Sequence, residues 1–275
     1  MGIKNYYKNK NVFIVGGSSG IGLATAHLLA QQGAHVCIFA RREPLLQQAI
    51  EQLISSVNNS SAKDGCKIIY RCLDVVDELD VIDKFSCAAR ELGSPEILIN
   101  CAGAAFPNYF ENISAQQFES TLRLNVLGVR NVSSAVLPYM KQTGGHIINT
   151  SSLAGFIGVF GYTDYCASKF AIVGFSEALR QEVRQHGISV SVLYPPDTLT
   201  PGFAEEEKTK PKETRAISGN AKLLTPEQVA FALVKKIPKQ KFHIIPTFDG
   251  QLSHLLKRWA PSLVSWVMER SIRNC

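Results

Sequence analysis

The sequence VFIVGGSSGIG, residues 12–22, joins an apolar run to a glycine-rich turn, and a helical pattern follows over residues 23–32. Consecutive apolar residues are typical of a strand buried on both faces. Glycines let the backbone approach a phosphate, and a helix start supplies free N–H groups. The spacing Gly-x-x-x-Gly-x-Gly has a longer first gap than the GxGxxG fingerprint. It predicts a phosphate-binding cradle that consists of Gly16, Ser18, Ser19, Gly20, Ile21 and Gly22.

Further apolar runs alternate with helical patterns along the chain. The predicted strands are 11–15, 34–40, 68–73, 97–99, 145–152, 188–194 and 242–245. Strands alternating with helices require right-handed crossovers and one doubly wound sheet. The sequence therefore predicts an α/β fold with a mostly parallel, seven-stranded, Rossmann-like sheet flanked by helices. We expect one domain over residues 1–250 and an amphipathic helical tail over residues 251–275.

Residues that suit a dinucleotide follow several predicted strands. Arg41 and Arg42 come after the second strand, where arginine pairs with a 2′-phosphate and so favours NADP(H) over NAD; alternatively, the pair is solvated and caps the next helix. Asp74 either accepts from an adenine amino group or caps the helix that begins near Asp77. The predicted cofactor contacts beyond the turn are Arg41, Arg42, Asp74, Val75, Asn100, Ala102, Gly103, Tyr165, Lys169, Pro195, Thr198 and Thr200.

Tyr165 and Lys169 lie four positions apart in a helical pattern, so their side chains share one face of the helix. A free phenol has a pKa near ~10 and is a slow acid at neutral pH. A nearby ammonium group favours the phenolate, so we expect Lys169 to lower the pKa of Tyr165. The same spacing also occurs by chance in many helices. Its weight depends on the residues that accompany it.

Two further polar residues accompany this pair. Ser152 ends the fifth predicted strand, and Asn125 lies in a long helical pattern over residues 114–141. A buried asparagine usually satisfies a neighbour, but at a kink its backbone carbonyl can order a water beside the lysine. Because ligands bind at the carboxyl ends of parallel strands, the turn, the strand-end residues and this group are expected to converge. The predicted catalytic residues are Asn125, Ser152, Tyr165 and Lys169.

Two segments after the sixth strand differ from the rest. Residues 197–222 are polar and lack strong periodicity, which is typical of a lid or a disordered insert. The tail, residues 251–275, holds both tryptophans of the chain beside arginines and lysines, and Pro261 divides it into two short helices. This composition fits a peripheral membrane contact, an oligomer contact or a helix folded on the core.

Composition limits the other classes of function. The net charge is +6 and the pI about 8.9, but basic residues are not interleaved with aromatic ones, so no nucleic-acid partner is expected. Seven scattered cysteines show no metal-ligand spacing and predict reduced thiols. We expect no metal, no secretory signal and no spanning helix, and hence a cytoplasmic protein.

Taken together, these motifs resemble those of the short-chain dehydrogenase/reductase family. Residues 15–22 resemble its TGxxxGxG motif, with Val15 in place of a threonine that ties the turn to the loop after the fourth strand; Asn100-Cys101-Ala102-Gly103 resembles NNAG with one asparagine changed. The four catalytic candidates match the family's tetrad. The resemblance implies Tyr165 as proton donor and Ser152 as hydrogen-bond donor to the substrate oxygen. It also implies a homo-oligomer, either dimer or tetramer.

Within that family, residues 194–214 and 248–252 resemble the 3-ketodihydrosphingosine reductases. The resemblance implies that NADPH reduces a lipophilic ketone, a long-chain 3-keto base (3-dehydrosphinganine), to dihydrosphingosine (sphinganine). It also implies a location on the cytoplasmic face of a membrane, that of the endoplasmic reticulum if the source is eukaryotic. Two alternatives stay open, namely a reductase of a retinoid, steroid or fatty-acyl ketone and a non-catalytic NADP(H)-binding regulator.

Overall fold

One sheet of seven strands runs through the computed structural model, which describes residues 6–58, 65–218 and 223–273. Its strands are β1 (Asn11–Val15), β2 (His35–Ala40), β3 (Ile68–Cys72), β4 (Ile97–Asn100), β5 (Gly145–Thr150), β6 (Ile188–Leu193) and β7 (His243–Ile244). They lie in the order β3-β2-β1-β4-β5-β6-β7, and every neighbouring pair is parallel. The predicted doubly wound, Rossmann-like sheet is confirmed, and it is parallel throughout.

Helices cover both faces of this sheet. The structure describes α1 (Gly20–Ala30), α2 (Glu43–Asn58), α3 (Glu78–Leu92), α4 (Ala115–Leu122), α5 (Gly128–Thr143), α6 (Thr163–Val183), α7 (Pro201–Thr209), α8 (Lys212–Ser218), α9 (Pro226–Lys236), α10 (Phe248–Trp259) and α11 (Pro261–Arg273). Helices α1, α2 and α9 contribute to the core on one face, and α3, α5 and α6 contribute on the other.

The central strands are buried on both faces, as the continuous apolar runs predict. In β1, Val12 and Ile14 belong to the core on the α1 side, whereas Phe13 and Val15 belong to the core on the α3 side. This alternation follows from the two-residue period of a strand. Because helices cover both faces of the sheet at β1, ligands can reach it only at the ends of the parallel strands.

The chain reverses its direction of travel across the sheet at β1. Strands β2 and β3 extend to one side of β1, and β4 to β7 extend to the other. Such a reversal leaves a crevice between the loops that follow the two central strands, and open α/β sheets bind ligands there. The crevice therefore lies between the end of β1 and the end of β4.

Two predicted segments need correction. The lid contains the helices α7 and α8 in place of an aperiodic stretch, and residues 219–222 lie outside the described part. The tail helix begins at Phe248, three positions before the predicted boundary, because Thr247 caps it by accepting from the Gly250 N–H. Pro261 starts α11, as predicted. Parts of two further predicted segments, residues 59–64 and 274–275, also lie outside the described residues.

The tail is largely exposed. Within α10 only Gly250 is buried, and no described residue of α11 is. Trp259 is 77% exposed and Trp266 is 54% exposed, so these helices do not complete the core. The tail folds on the core only in part. His254 on α10 contacts the rings of the buried Phe156 and Tyr194, whereas α11 packs against the lid helix α8. Among the described residues, the helices are all too short or too polar to cross a bilayer.

A buried histidine links two central strands. His146 on β5 is 2% exposed, and its Nε2 is hydrogen-bonded to Ser191 Oγ on β6 at 2.7 Å. Ser191 Oγ donates in turn to the Lys241 carbonyl, so the imidazole nitrogen donates to the serine oxygen. The other nitrogen, Nδ1, is buried without a described partner. Burial lowers the pKa of His146 from 6.5 to about 4 because a charged imidazolium would lose its hydration there.

We expect His146 to make the fold acid-sensitive. Between pH 6.5 and pH 4 the unfolded chain binds a proton that the folded chain does not, so the free energy of unfolding should fall as pH falls. The contribution reaches at most about 3 kcal/mol near pH 4. Urea unfolding across this range should show a shallower pH dependence for His146→Leu than for the wild type. His186→Leu, outside the sheet, is the matched control, and identical slopes for all three proteins would contradict the assignment.

Candidate active site

The glycine-rich turn after β1 is too tightly packed for another residue at two positions. A Cβ on Gly22 would lie 2.2 Å from the Gly16 carbonyl oxygen, and a Cβ on Gly16 would lie 2.7 Å from the Ala102 nitrogen. Gly16 also has a φ of 80°, which favours glycine. The turn is therefore pressed against the chain that follows β4. Val15 lacks the hydroxyl expected to tie these loops, but its carbonyl accepts from the Cys101 N–H at 2.8 Å, so the backbone makes the connection.

The start of α1 faces the same crevice and fits a phosphate. Ser19 occupies the cap position, but its side chain does not cap the helix. The N–H groups of the first turn are therefore left for a ligand or for water. With Ser18, Gly20 and Ile21, these groups form a candidate cradle for a dinucleotide pyrophosphate. The lack of a Cβ at Gly22 lets the start of α1 pack against the backbone of Gly16.

At the far side of the crevice, Arg41 and Arg42 follow β2 and are exposed. No described carboxylate forms an ion pair with either, so both guanidinium groups are available to a 2′-phosphate. Asp74 follows β3, next to the buried Val75, and its Oδ1 accepts from the Val76 N–H. Asp77, and not Asp74, caps α3, so the predicted capping role of Asp74 is wrong.

The segment after β4 is set by an asparagine network. Asn100 is buried, and its Nδ2 donates to Asn149 Oδ1 at 2.8 Å; Asn149 donates to Ser176 Oγ on α6. This network ties β4, β5 and α6 together, and the predicted contact of Asn100 with a cofactor stays a prediction. Gly103 lies beside the candidate catalytic residues, since a Cβ there would be 3.0 Å from Asn125 Oδ1 and 3.4 Å from Lys169 Nζ.

Asn125 lies in a π-helical turn, Arg123–Leu127, between α4 and α5. The π turn interrupts the long helical pattern at Asn125, which is the condition under which its backbone carbonyl could order a water. Asn125 Nδ2 donates to the Ala104 carbonyl and to Ser168 Oγ, while its Oδ1 accepts from the Ala104 N–H. The side chain thus holds the loop after β4 against α6. The role of its backbone carbonyl in ordering a water stays a prediction.

Ser152, Tyr165 and Lys169 meet at the carboxyl end of β5. Ser152 follows the strand, and its side chain is hydrogen-bonded to Tyr165. Tyr165 and Lys169 share one face of α6, as predicted, with the ammonium nitrogen 5.4 Å from the centre of the phenol ring. Lys169 is 4% exposed, and its Nζ donates to the Thr150 carbonyl at 3.0 Å. The arrangement offers an O–H donor, a second hydroxyl and a buried amine at one point.

Burial dominates the acid–base properties of this group. Desolvation raises the pKa of Tyr165, the charge of Glu206 adds to the rise, and the Ser152 hydrogen bond opposes it. Desolvation also lowers the pKa of Lys169 to about 8. The pKa of Tyr165 is thus raised overall, because the loss of hydration dominates and the Lys169 ammonium donates to the Thr150 carbonyl. The separate effect of Lys169 on the phenol stays a prediction.

The three residues predicted after β6 lie at the base of the lid. The Pro195 carbonyl accepts from the Leu153 N–H, and Thr198 Oγ1 donates to the Pro196 carbonyl. Thr200 caps α7 and lies beside the glycine-rich turn, since its Cγ2 would be 3.0 Å from a Cβ on Gly20. The lid therefore begins against the phosphate cradle.

Two residues of this site, Tyr162 and Glu206, were not predicted from the sequence. Tyr162 stacks at an angle on Tyr165, with ring centres 5.6 Å apart, and its hydroxyl donates to Glu206 Oε2 at 2.9 Å. Glu206 belongs to a run of three glutamates that reads as a solvated stretch. One signal was available: Phe203, Glu206, Glu207 and Lys210 have the i, i+3, i+4, i+7 spacing of one helix face, and none of them is fully exposed.

Other classes of site find no support in the described part of the chain. No group of His, Cys, Asp and Glu is arranged to hold a metal ion there. The six described cysteines form no disulfide.

The sequence was compared with known families and proteins. Residues 10–211 match the family described as short chain dehydrogenase. The 3-ketodihydrosphingosine reductase of Bos taurus is 39% identical over 94% of this chain and 77% of its own length, and that of Dictyostelium discoideum is 38% identical over 87% and 76%. The 3-oxoacyl-[acyl-carrier-protein] reductase FabG of Chlamydia muridarum is 31% identical over 89% and 98%.

A solved structure supports the same grouping at the level of the fold. A short chain dehydrogenase/reductase from Burkholderia phymatum, in complex with NAD, superposes with a TM-score of 0.81. It is 24% identical, and the match covers 94% of this chain and 95% of that one. With the family match and relatives of this similarity over most of its length, the chain is an oxidoreductase of the nicotinamide-dinucleotide type and belongs to the short-chain dehydrogenase/reductase family.

Proposed function

We propose that this enzyme uses NADPH to reduce 3-ketodihydrosphingosine to dihydrosphingosine. The observation that carries the proposal is the meeting of Ser152, Tyr165 and Lys169 beside a phosphate cradle at one sheet edge. Relatives named for this activity, at 38–39% identity over most of the chain, support the choice of substrate. Retention of all four tetrad residues argues against a non-catalytic regulator.

The reaction adds a hydride and a proton across the ketone. The cofactor supplies the hydride when bound, and the chain supplies the proton at the oxygen. Tyr165 donates its phenolic proton to the oxygen as the carbonyl becomes an alkoxide. Ser152 donates a hydrogen bond to the same oxygen, which stabilises charge that appears mainly in the transition state.

The pKa shifts suit the reducing direction. Because burial raises the pKa of Tyr165, the phenol keeps its proton until a strong base, the nascent alkoxide, takes it. Lys169, with a pKa of about 8, can both hold and release a proton near neutrality. It is the nearest buried group able to return a proton to the phenolate, through a water that the Asn125 carbonyl would order.

Removing the phenol hydroxyl tests this role. We expect Tyr165→Phe to lower kcat for NADPH-dependent reduction of 3-ketodihydrosphingosine by about 10²- to 10⁴-fold, the usual contribution of a positioned acid. NADPH binding, followed by fluorescence, should change little. Tyr139→Phe, on α5, is the matched control. Turnover by Tyr165→Phe at the wild-type rate would contradict the assignment of Tyr165 as the proton donor.

We base the proposed preference for NADPH on the two arginines after β2, with which no described carboxylate forms an ion pair. Each can make charge-assisted hydrogen bonds to a 2′-phosphate, which NADH lacks. Position 41 holds an arginine. An acidic side chain at this position would instead accept a hydrogen bond from a free 2′-hydroxyl.

We expect Arg41→Ala to reduce kcat/KM for NADPH by about 10- to 100-fold, as hydrogen bonds to charged groups predict. The value for NADH should change by less than about twofold. Arg184→Ala provides the control, since Arg184 is exposed at the opposite edge of the sheet. Equal losses with both cofactors would show that Arg41 does not read the 2′-phosphate.

A second candidate substrate class is a fatty-acyl ketone, which the similarity to FabG favours. Other lipophilic ketones, such as retinoids and steroids, would use the same Ser152, Tyr165 and Lys169. A panel of these ketones with NADPH distinguishes the classes by kcat/KM. Homo-oligomer formation, as a dimer or tetramer, remains a prediction.

We infer that the tail binds a membrane surface peripherally, on the cytoplasmic face. Apolar side chains of α10 and α11 are exposed beside cationic ones, and Arg270 lies over the Trp266 ring with 5.4 Å to its centre. Such a face inserts its rings among lipid head groups while its cations meet anionic lipids. A lipid substrate would then be taken up at the surface where it resides.

Replacing both tail tryptophans tests this inference. We expect the double variant Trp259→Glu with Trp266→Glu to bind anionic liposomes at least about tenfold more weakly, because it loses two inserted rings and gains repulsion. Flotation measures the bound fraction. Leu79→Glu, at a leucine that is 78% exposed on α3, is the control. Undiminished binding by the double variant, or no binding by the wild type, would contradict a membrane role.

A further inference from the structure

The lid helix α7 brings a carboxylate to the catalytic tyrosine. Glu206 Oε2 accepts from the Tyr162 hydroxyl at 2.9 Å, and the Tyr162 ring lies 5.6 Å from the Tyr165 ring, centre to centre. The charge of Glu206 acts on both Tyr165 and Lys169. Glu206 is therefore part of the active-site environment, although it lies on the lid.

Three cations of the lid are engaged with carboxylates other than Glu206. Lys210 and Arg215 both form ion pairs with Glu207, and Lys208 pairs with the exposed Glu205. Among the described residues, none forms an ion pair with Glu206. Lys210 acts on it only at longer range. A partly buried carboxylate is thus left with a neutral hydroxyl as its described hydrogen-bond partner.

A second carboxylate adds to the negative potential at this point. Asp197 acts electrostatically on Glu206, on Tyr162 and on Tyr165. The whole chain carries a net charge of +6, so two carboxylates that act on one tyrosine are against the general trend. An electrostatic site of this kind attracts a cation.

Such a charge is unhelpful for a neutral ketone. Negative charge develops on the substrate oxygen and then on Tyr165 during reduction, and a carboxylate nearby opposes both. Keeping Glu206 away from water also costs free energy unless a partner compensates it. Both costs disappear if the substrate itself brings a positive charge. The proposed substrate, a long-chain base, has an amino group on the carbon next to its ketone.

Resting on that proposed function, we propose that Glu206 binds the ammonium group of a 2-amino ketone and so selects such substrates over neutral ketones. The carboxylate accepts N–H hydrogen bonds from the ammonium while Tyr165 and Ser152 hold the adjacent carbonyl oxygen. Tyr162 fixes the carboxylate through the hydrogen bond already present. The lid thereby reads the amino group, and the rest of the site performs the reduction.

Two substrates separate this role from a structural one. The first is 3-ketodihydrosphingosine, and the second is the 1-hydroxy-3-ketone of the same chain length without the amino group. The variants are Glu206→Gln, which keeps a hydrogen-bond acceptor for Tyr162 but removes the charge, and Glu205→Gln, which removes an exposed charge from the same helix. Steady-state assays with saturating NADPH give kcat and KM for each pair.

We expect the wild type to favour the amino ketone by at least about tenfold in kcat/KM. Glu206→Gln should lose about 30-fold or more on the amino ketone, mainly in KM, as removing one partner of a buried charge pair does. Its kcat/KM for the ketone without the amino group should stay equal or rise. Glu205→Gln should behave as the wild type with both substrates.

The outcomes separate the two proposals. Equal use of both ketones by the wild type overturns ammonium recognition but leaves the reductase intact, and this comparison needs no variant to fold. An equal loss of kcat/KM by Glu206→Gln on both ketones would overturn ammonium recognition and show that Glu206 only holds the lid against Tyr162. Failure of the wild type to reduce either ketone contradicts the proposed function itself and the recognition with it.

Discussion

The contact between Gly16 and Ala102 is the constraint on which the site depends. It brings the loop after β1 against the loop after β4, at the point where the sheet order reverses. The absence of a Cβ at Gly16 and Gly22 makes this approach possible and also leaves the start of α1 open toward the crevice. Because parallel strands end on one edge, the same crevice receives Ser152 from β5 and the lid from β6. A bulkier residue at either glycine would separate the loops and displace every group that the edge collects.

Desolvation, more than the attraction between neighbouring charges, sets the chemistry within this crevice. It raises the pKa of Tyr165 and lowers the pKa of Lys169. At neutral pH the phenol is therefore protonated, and the lysine is close to its titration point. The two groups therefore suit proton delivery better than proton abstraction. Glu206 pushes the tyrosine further in the same direction. The effect of Glu206 on catalysis depends on whether a positive charge lies beside its carboxylate. We therefore expect the charge of the substrate to matter, although the reaction changes only the ketone.

Local signals in the sequence were sufficient to predict the sheet and to name most of the residues that the structure brings together in the candidate site. The strand runs, the glycine-rich turn and the Tyr165–Lys169 spacing each lie within a few consecutive residues, and the parallel topology then places their ends together. The pKa of Tyr165 could not be predicted because it depends on burial, which is a property of the assembled fold. Asp74 and Asp77 are both aspartates within one turn of the start of α3, so the sequence alone does not tell which of them caps the helix. Glu206 was missed because its partner, Tyr162, lies 44 positions away in sequence.

The lid connects the proposed membrane surface with the proposed site. Thr214 on α8 is fully buried and donates to the Phe160 carbonyl at 2.7 Å, and Glu213 accepts from the Tyr109 hydroxyl at 3.0 Å. On its other side, α8 packs against α11 of the tail. The preceding helix, α7, carries Glu206 toward the catalytic tyrosine and begins at the phosphate cradle. The tail thus contacts the lid directly, and α7 and α8 are separated by only two residues. A tail that rests on a lipid surface would therefore orient the lid that reads the substrate, with no need for a separate element to couple membrane and site.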